Sequence, residues 1–346
     1  MRQAPAHSMV RDLPPAYFAL VMATGIVSIA ARNFGLRGIS IGLFGVNIIA
    51  YLTLVVLTAL RAIRYPRRTF HDMIDHQLGP GFLTSVAATC ILGIECLLVL
   101  GSVGLAMGLL VVGVALWLGL TYTIFTAFTI KREKPPLERG ITGAWLIAVV
   151  ATQSIAVLAA LIARHWPQPY RLEFNFFALS MWSWGGMFYI WIISLIFYRY
   201  SFFAFSPSDL SPPYWINMGA MAISTMAGAR LVENTPDAPF LASLAPFLKG
   251  FTVLYWATAT WWIPMLVLLG VWRHLVRRFP LRYDPLYWGA VFPLGMYSAA
   301  SWQMTKSLDL PFLAMTARLM FIPAIAAWML AFVGLLRQIL IKPRGD

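Results

Sequence analysis

Ten long apolar stretches follow one another along the 346-residue chain, with only short polar segments between them. Most of them approach or exceed the roughly 20 residues that a helix needs to cross the hydrocarbon core of a bilayer. Hydrophobic residues make up 60% of the chain and charged residues 11%, whereas soluble domains carry about 25% charged residues. The sequence therefore predicts an all-α polytopic membrane protein and excludes a water-soluble enzyme.

The apolar stretches predict ten transmembrane helices. No segment between them is long enough for a second domain, so we expect residues 1–346 to form a single transmembrane domain. The first stretch lacks a small-residue cleavage site after a short apolar core and is therefore predicted to be a membrane helix rather than a signal peptide. The predicted spans are 15–34, 39–60, 80–100, 103–130, 141–163, 174–200, 213–232, 248–272, 285–304 and 311–337.

The charge balance reports on topology. Lysine and arginine (26) outnumber aspartate and glutamate (13), which gives a formal net charge of +13. With ten spans both termini lie on one side, and 18 of the 26 basic residues fall in segments on that side, with two more, Arg230 and Arg318, inside spans. Because an excess of lysine and arginine marks the cytoplasmic side, we expect cytoplasmic termini in a cell (inner) membrane, and no nucleic-acid partner.

The odd-numbered spans differ from the even-numbered ones in side-chain size. Residues 216–230 in the seventh span carry Gly, Ala, Ser or Thr at 8 of 15 positions, whereas the sixth and eighth spans are rich in aromatic residues. Small residues let helix backbones approach each other, and bulky residues suit a surface that faces lipid. The alternation predicts five helical hairpins with the odd helices inside, around either a central pore or a solid packed bundle.

Hydroxyl side chains on every odd span favour the central pore over the solid bundle. Hydroxyl hydrogens solvate an anion without a fixed charge, which permits passage without tight trapping. The candidate pore-lining residues are Thr24, Ser28, Thr84, Ser85, Thr89, Thr152, Ser224, Thr225 and Ser298.

The sequence offers little for catalysis. The five histidines fall outside the spans without clustering, and no aspartate lies within a span. Enzymes that work inside a membrane generally need such groups for acid–base or metal chemistry. We therefore expect a protein that is not an enzyme and that uses no metal and no cofactor.

Three segments carry a family resemblance: PPAYFALVMATGIVSIA at 14–30, SPPYWINMGAMAIST at 211–225 and WGAVFPLGMYSAA at 288–300. With them the chain resembles, over essentially its whole length, the family of tellurite-resistance proteins, plant slow-type anion channels and yeast malic-acid (C4-dicarboxylate) transporters. The resemblance implies five hairpins around a central pore, a homotrimer with one pore per subunit, and a phenylalanine on the ninth helix that occludes the pore.

In this sequence the occluding phenylalanine corresponds to Phe292, which precedes Pro293. An internal proline removes a helix hydrogen bond and bends the chain. Such a bend could aim the ring of Phe292 into the lumen, where it would act as a hydrophobic gate that excludes water. The alternative is a core phenylalanine beside a packing kink.

Glu95, Arg230 and Arg318 are the clearest charges inside the predicted spans. Each is costly there unless it is paired or hydrated, and at about 1.5 Å of rise per residue all three fall in the outer half of the membrane. We expect Glu95 to pair with one arginine while the other makes an external vestibule positive. The alternative is a structural ion pair with the second arginine reaching to the interface.

The leading interpretation is therefore a channel or weakly coupled transporter for small inorganic or organic anions, gated by Phe292 within the lipid bilayer. The alternative is a proton-coupled C4-dicarboxylate transporter, in which Glu95 would carry the proton. A receptor or scaffold without transport would leave the hydroxyl-rich odd helices unexplained.

Overall fold

A computed structural model describes residues 10–340, which are helical and contain no β-strand. One long helix occupies each of the ten predicted apolar stretches, and its boundaries lie within four residues of the prediction when the short opening turns described below are included. The long helices are α1 (Ala19–Asn33), α2 (Arg37–Arg64), α3 (Thr84–Leu100), α4 (Val103–Ile130), α5 (Ile147–Ala163), α6 (Tyr170–Phe202), α7 (Ile216–Asn234), α8 (Ala245–Val271), α9 (Trp288–Ser307) and α10 (Leu313–Leu340).

Eight of these helices are long and apolar enough to cross a membrane by length and composition. The exceptions among the ten are α7 and α9, whose small and polar residues lower their mean hydropathy. Gly, Ala, Ser and Thr occupy 8 of the 19 positions of α7 and 9 of the 20 positions of α9. The chain termini, with Arg2, Lys342 and Arg344, lie outside the described residues.

Every odd helix begins with a short 3-10 turn. Four of the five turns carry proline in their first two positions, where the missing N–H breaks no helix hydrogen bond and the fixed φ favours helix initiation. The turns give the five helices a common start. They are Pro15–Phe18, Gly79–Leu83, Gly143–Leu146, Pro212–Trp215 and Pro285–Tyr287.

The odd helices pack against each other in a closed cycle. Helix α1 contacts α3, α3 contacts α5, α5 contacts α7, α7 contacts α9, and α9 returns to α1. Each odd helix also packs against the even helix that follows it in the chain. An 18-residue stretch within Gly143–Ala163 consists entirely of buried residues, whereas only 11% of the residues in such a stretch of the outer helix Leu313–Leu340 are buried. The small-residue helices are therefore the inner ones, as their composition predicts.

Glycines explain how the odd helices approach so closely. A methyl group at Gly219 of α7 would lie 2.6 Å from Cγ of Pro293 on α9. A methyl at Gly93 of α3 would lie 2.7 Å from Cδ2 of Leu158 on α5. Both distances are shorter than carbon atoms tolerate, so a methyl group at Gly93 would require the side chain of Leu158 to move, and one at Gly219 would press on the rigid ring of Pro293.

The even helices present large apolar side chains on the outer surface of the molecule. A soluble protein rarely exposes so large an apolar surface, and a surface of this kind suits the hydrocarbon of a membrane. Examples on four of these helices are Ile63, Val111, Tyr122, Trp191 and Leu268.

Candidate functional site

A cavity of about 290 Å³ lies where the amino-terminal ends of the odd helices meet. All five odd helices contribute to its lining, and none of the lining side chains is charged. The shared opening turns bring equivalent positions of the five helices to this place. One lining residue from each helix is Met22, Thr84, Ile147, Ile216 and Phe292.

Phe292 is the aromatic residue in this lining, and its side chain is fully buried. It lies four residues after the start of α9, one turn deeper than Gly289, which also lines the cavity. Pro293 follows inside the helix and contacts α7 at Gly219. Phe292 thus lies one turn into α9, next to the contact between Pro293 and Gly219.

The electrostatics of this end come from the backbone. The unpaired N–H groups at a helix start carry partial positive charge. Neither the opening turns nor the first helical turns of the five odd helices contain an acidic residue. At the start of α9, however, the carboxylate of Asp284 accepts the N–H of Leu286 at 2.8 Å. Four helix starts therefore turn partial positive charge towards the cavity, and at the fifth that charge is offset by Asp284.

Several of the predicted pore-lining hydroxyls lie in contacts between helices. The indole N–H of Trp328 on α10 donates to Oγ1 of Thr24 at 3.0 Å. Trp117 on α4 donates in the same way to Thr152 at 2.8 Å. The hydroxyls of Tyr51 on α2 and Thr89 are 2.9 Å apart. In each case the aromatic partner lies on the outer helix that precedes the inner helix: α2 precedes α3, α4 precedes α5, and α10 precedes α1 around the ring.

The other predicted hydroxyls lie in three kinds of environment: beside a carbonyl of an outer helix, in the cavity lining, or beside a carbonyl of their own segment. Ser28 donates to the carbonyl of Ser40 on α2, and Ser298 donates to that of Ala317 on α10. Thr84 lines the cavity. Pore lining by the whole set stays a prediction. The hydroxyls of Ser85, Ser224 and Thr225 donate to carbonyls three or four residues earlier in their own segment.

The expected ion pair between Glu95 and an arginine is wrong. Glu95 is fully buried, and Nδ2 of Asn47 on α2 donates a hydrogen bond to its Oε2. The second oxygens of both side chains, Oε1 of Glu95 and Oδ1 of Asn47, are buried without a partner in the described part of the chain. A hydrogen on Oε1 would allow both oxygens to be satisfied at once, as in a pairing of a carboxylic acid with an amide.

Arg230 pairs instead with Glu233, one turn later on the same helix, with Nη1 and Oε2 2.8 Å apart. Arg164, at the end of α5, binds the other oxygen of Glu233 at 2.7 Å. Gln303 of α9 donates to Oε2 at 2.9 Å. This outer cluster, Arg164, Arg230, Glu233 and Gln303, joins the carboxyl-terminal ends of three neighbouring inner helices.

The outer cluster was not predicted, because Arg164 and Glu233 lie one residue beyond the ends of the predicted spans 141–163 and 213–232. The spacing of Arg230 and Glu233, three residues apart on one helix, is the signal that could have found the pair. Arg318, the third charge considered, is exposed on outer helix α10.

Two basic residues counted as topology markers are also buried and paired. Arg61 binds Asp72, and Arg199 lies 3.6 Å from Asp209. Nearby, the ring of His76 stacks on that of Phe128 with centroids 4.2 Å apart. Burial, and next the positive charge of Lys131, lower the pKa of His76 below its ordinary value.

Long apolar helices, with small residues inside and bulky residues outside, define an integral membrane protein with an uncharged cavity at one end of its inner helices. A sequence model of the voltage-dependent anion channel family (SLAC1) matches residues 12–336. The chain belongs to this family of membrane transport proteins, and the family resemblance of its three sequence segments is confirmed.

Individual relatives agree with this assignment. A protein of Methanocaldococcus jannaschii described as an uncharacterized transporter is 27% identical over 304 residues, which cover 85% of each chain. A sulfite efflux pump of Trichophyton rubrum is 24% identical over 93% of this chain and 90% of its own. An uncharacterized membrane protein of Mycobacterium tuberculosis is 38% identical over 151 residues, 44% of this chain and 76% of its own.

Proposed function

We propose that the protein is a channel for small anions, which pass along the axis of the ring of odd helices. The observation that carries the proposal is Phe292, a fully buried aromatic residue in the lining of a cavity to which all five odd helices contribute. In this conformation the aromatic ring closes the path. A small rotation of the ring would admit water and ions from the cavity.

The proposed topology has all ten long helices crossing the membrane, as five hairpins around the pore. The two that are less apolar, α7 and α9, are inner helices packed against neighbours on both sides. Because protein rather than lipid surrounds them, they do not need the hydropathy of a lipid-facing helix. With the basic residues placed inside, both termini and the cavity face the cytoplasm of a cell membrane.

Anion selectivity would come from the helix starts. The partial positive charges of the four helix starts without an acidic cap favour anions over cations, and lining side chains without formal charge bind no anion tightly enough to stop its passage. The name of the sulfite efflux pump among the relatives suggests the first substrate to test. Sulfite and other small oxyanions are therefore the proposed cargo.

The test is anion flux into proteoliposomes that contain the purified protein. We expect sulfite and nitrate to move down their electrochemical gradients, and Phe292→Ala to raise the flux at least about tenfold, the effect of a barrier lower by about 1.4 kcal/mol. The matched control is Phe321→Ala, which removes the same side chain from outer helix α10. Flux unchanged in a correctly inserted Phe292→Ala protein would refute the gate.

One observation favours a proton-coupled C4-dicarboxylate transporter as the second candidate. Glu95 is a buried carboxyl without a cationic partner in the described chain, hydrogen-bonded to Asn47 between α3 and α2. Intramembrane carboxyls of this kind bind and release protons in transporters. Malate uptake that requires a pH gradient and disappears in Glu95→Gln would support this candidate, whereas sulfite flux independent of pH gradient supports the channel.

The expected homotrimer rests on the family resemblance and remains part of the proposal. The pore lies within one chain, so each subunit would conduct on its own. The mass of the protein in lipid nanodiscs tests the oligomeric state without reference to transport.

A further inference from the structure

The outer cluster has an unusual arrangement of charges. Donors from three neighbouring inner helices point at one carboxylate: Arg164 at the end of α5, Arg230 on α7 and Gln303 on α9 all bind Glu233. Two cations share a single anion, so the cluster carries a net charge of +1. It lies at the end of the inner helices opposite to the cavity that Phe292 closes.

The donors of this cluster are those that a small oxyanion needs. Two guanidinium groups and a side-chain amide supply directed N–H groups, and guanidinium groups match the paired oxygens of carboxylates and oxyanions. Arg230 has a further donor in reserve, because its Nε is buried and has no partner within the described residues. The side chain of Arg230 is 13% exposed and that of Arg164 is 46% exposed. Water and ions can therefore reach the cluster from this end.

Glu233 reaches the cluster with its side chain only, because its backbone belongs to α7 one helical turn after Arg230. Its side chain is 25% exposed, so it has room to rotate towards solvent without movement of α7. Once it leaves, the remaining groups carry a charge of +2 and three sets of N–H donors. The cluster then offers an anion the contacts that the carboxylate now occupies.

We propose that Arg164, Arg230 and Gln303 form an anion-binding site at the outer end of the conduction path, and that the carboxylate of Glu233 occupies it as an internal competitor. A small oxyanion binds by displacing this carboxylate, and it is released when the carboxylate returns. The inference rests on the proposed channel function, because it places the site on the same path as Phe292.

The competition sets the apparent affinity of the site. The internal carboxylate is always present at high effective concentration. An external anion therefore binds only at a concentration high enough to compete with the carboxylate. Glu233→Gln keeps the shape of the side chain and removes its charge, which leaves two arginines without an internal anion. We therefore expect the apparent affinity for anions to rise at least about tenfold in this variant.

The test measures binding without transport. Purified protein in detergent is heated in increasing concentrations of sodium sulfite, with sodium gluconate added to keep the ionic strength constant, and nitrate serves as a second probe. A ligand that binds the folded state raises the thermal midpoint according to its concentration relative to Kd. The sulfite concentration that produces half of the full increase in thermal midpoint should be at least about tenfold lower for Glu233→Gln than for the wild type.

Two further variants separate binding from folding. The double variant Arg230→Gln/Glu233→Gln removes one cation as well, and it should lose the gain in affinity. Glu233→Asp keeps the charge and shortens its reach by one methylene group, and its affinity should lie between those of the wild type and Glu233→Gln. If Glu233→Gln does not fold, higher affinity in Glu233→Asp than in the wild type supports the proposal, and unchanged affinity overturns it.

The outcomes also distinguish this site from the channel itself. Equal half-shift concentrations in the wild type, Glu233→Gln and the double variant would overturn the anion site, even if proteoliposomes conduct anions. A sulfite-dependent shift that follows the expected order supports the site, even if no flux is measured and the channel proposal fails.

Discussion

The two ends of the ring of inner helices differ in charge and polarity. At the amino-terminal end, a cavity of about 290 Å³ without charged lining side chains includes the buried ring of Phe292 in its wall. At the carboxyl-terminal end, Glu233 ties Arg164, Arg230 and Gln303 together. The first end has an apolar side chain and no charged one in the cavity wall, and the second has fixed charges. In the proposed channel, an anion would meet a hydrophobic barrier and an electrostatic site in series.

This difference teaches which conditions should affect each end. A hydrophobic constriction depends on side-chain size and hardly on salt, because no charge is involved. Interactions between exposed charges weaken as the ionic strength rises. Variants at the two ends can therefore be told apart by their salt dependence as well as by the size of their effects.

The largest effect is expected when both ends are changed together. Glu233→Gln alone should leave sulfite flux within about twofold of the wild type, since Phe292 still closes the path and barriers in series are limited by the higher one. In the Phe292→Ala background, at sulfite concentrations below half-saturation, the same change should raise the flux severalfold. Flux assays on the wild type, the two single variants and the double variant measure how the effect of Glu233→Gln depends on Phe292. Equal effects with and without Phe292→Ala would contradict two barriers in series.

Reversing a charge at the outer end should give a smaller effect that depends on salt. Arg164→Glu in the Phe292→Ala background should reduce sulfite flux about threefold in dilute buffer, and the reduction should disappear near 1 M salt, where screening acts over about 3 Å. The control is Lys249→Glu, an equal change of charge on outer helix α8. A reduction that persists at high salt would mean that Arg164 acts through structure rather than through its field.

Packing at the amino-terminal end can be tested through a pair of glycines. Gly219→Ala places a methyl group 2.6 Å from Cγ of Pro293, and crowding of this kind costs about 1–3 kcal/mol. The control, Gly108→Ala on α4, meets no atom within 4 Å, so it should be neutral or slightly stabilising. Thermal midpoints compare the two, and equal values would show that the contact between α7 and α9 tolerates a methyl group.

The smallest effect concerns pH. The pKa of His76 is lowered by burial and by Lys131, so the unfolded chain binds a proton more readily than the folded protein. Stability should therefore be unaffected above the unfolded pKa of about 6.5 and should fall as the pH drops below it. Between pH 7 and 5, the thermal midpoint of His76→Gln should fall slightly less than that of the wild type. An equal fall would assign the acid sensitivity to other groups.

Much of the helical arrangement could be predicted from the sequence, because hydropathy and side-chain size are properties of single residues. The stretch 103–130 matches α4 at both ends. The small residues of 216–230 mark α7 as an inner helix, and the glycine contact at Gly219 shows why. Family membership was likewise predictable from three short segments.

The direction in which polar side chains point was much less predictable. Thr24 and Thr152 were predicted to line a pore, and that stays a prediction; nothing in the sequence indicated that both accept hydrogen bonds from tryptophans of outer helices. A hydroxyl side chain is compatible with a position that faces lipid, a lumen or another helix. Its presence alone therefore does not determine how a helix is rotated about its own axis. Glu95 was expected to need a cation, but an amide from α2 serves it instead. Partners of this kind depend on three-dimensional contacts that no local spacing encodes.

The contacts between α10 and α1 have a consequence for chain order. Helix α9 packs on α1, and Trp328 of α10 bonds to Thr24 of α1 just as Trp117 of α4 bonds to Thr152 of α5. The junction between the last and the first hairpin is thus built like the junctions inside the chain. Within the described residues no loop joins α10 to α1, yet the two helices contact each other as α4 and α5 do. A circular permutant that joins these helices and opens another loop at the same end should assemble the same ring.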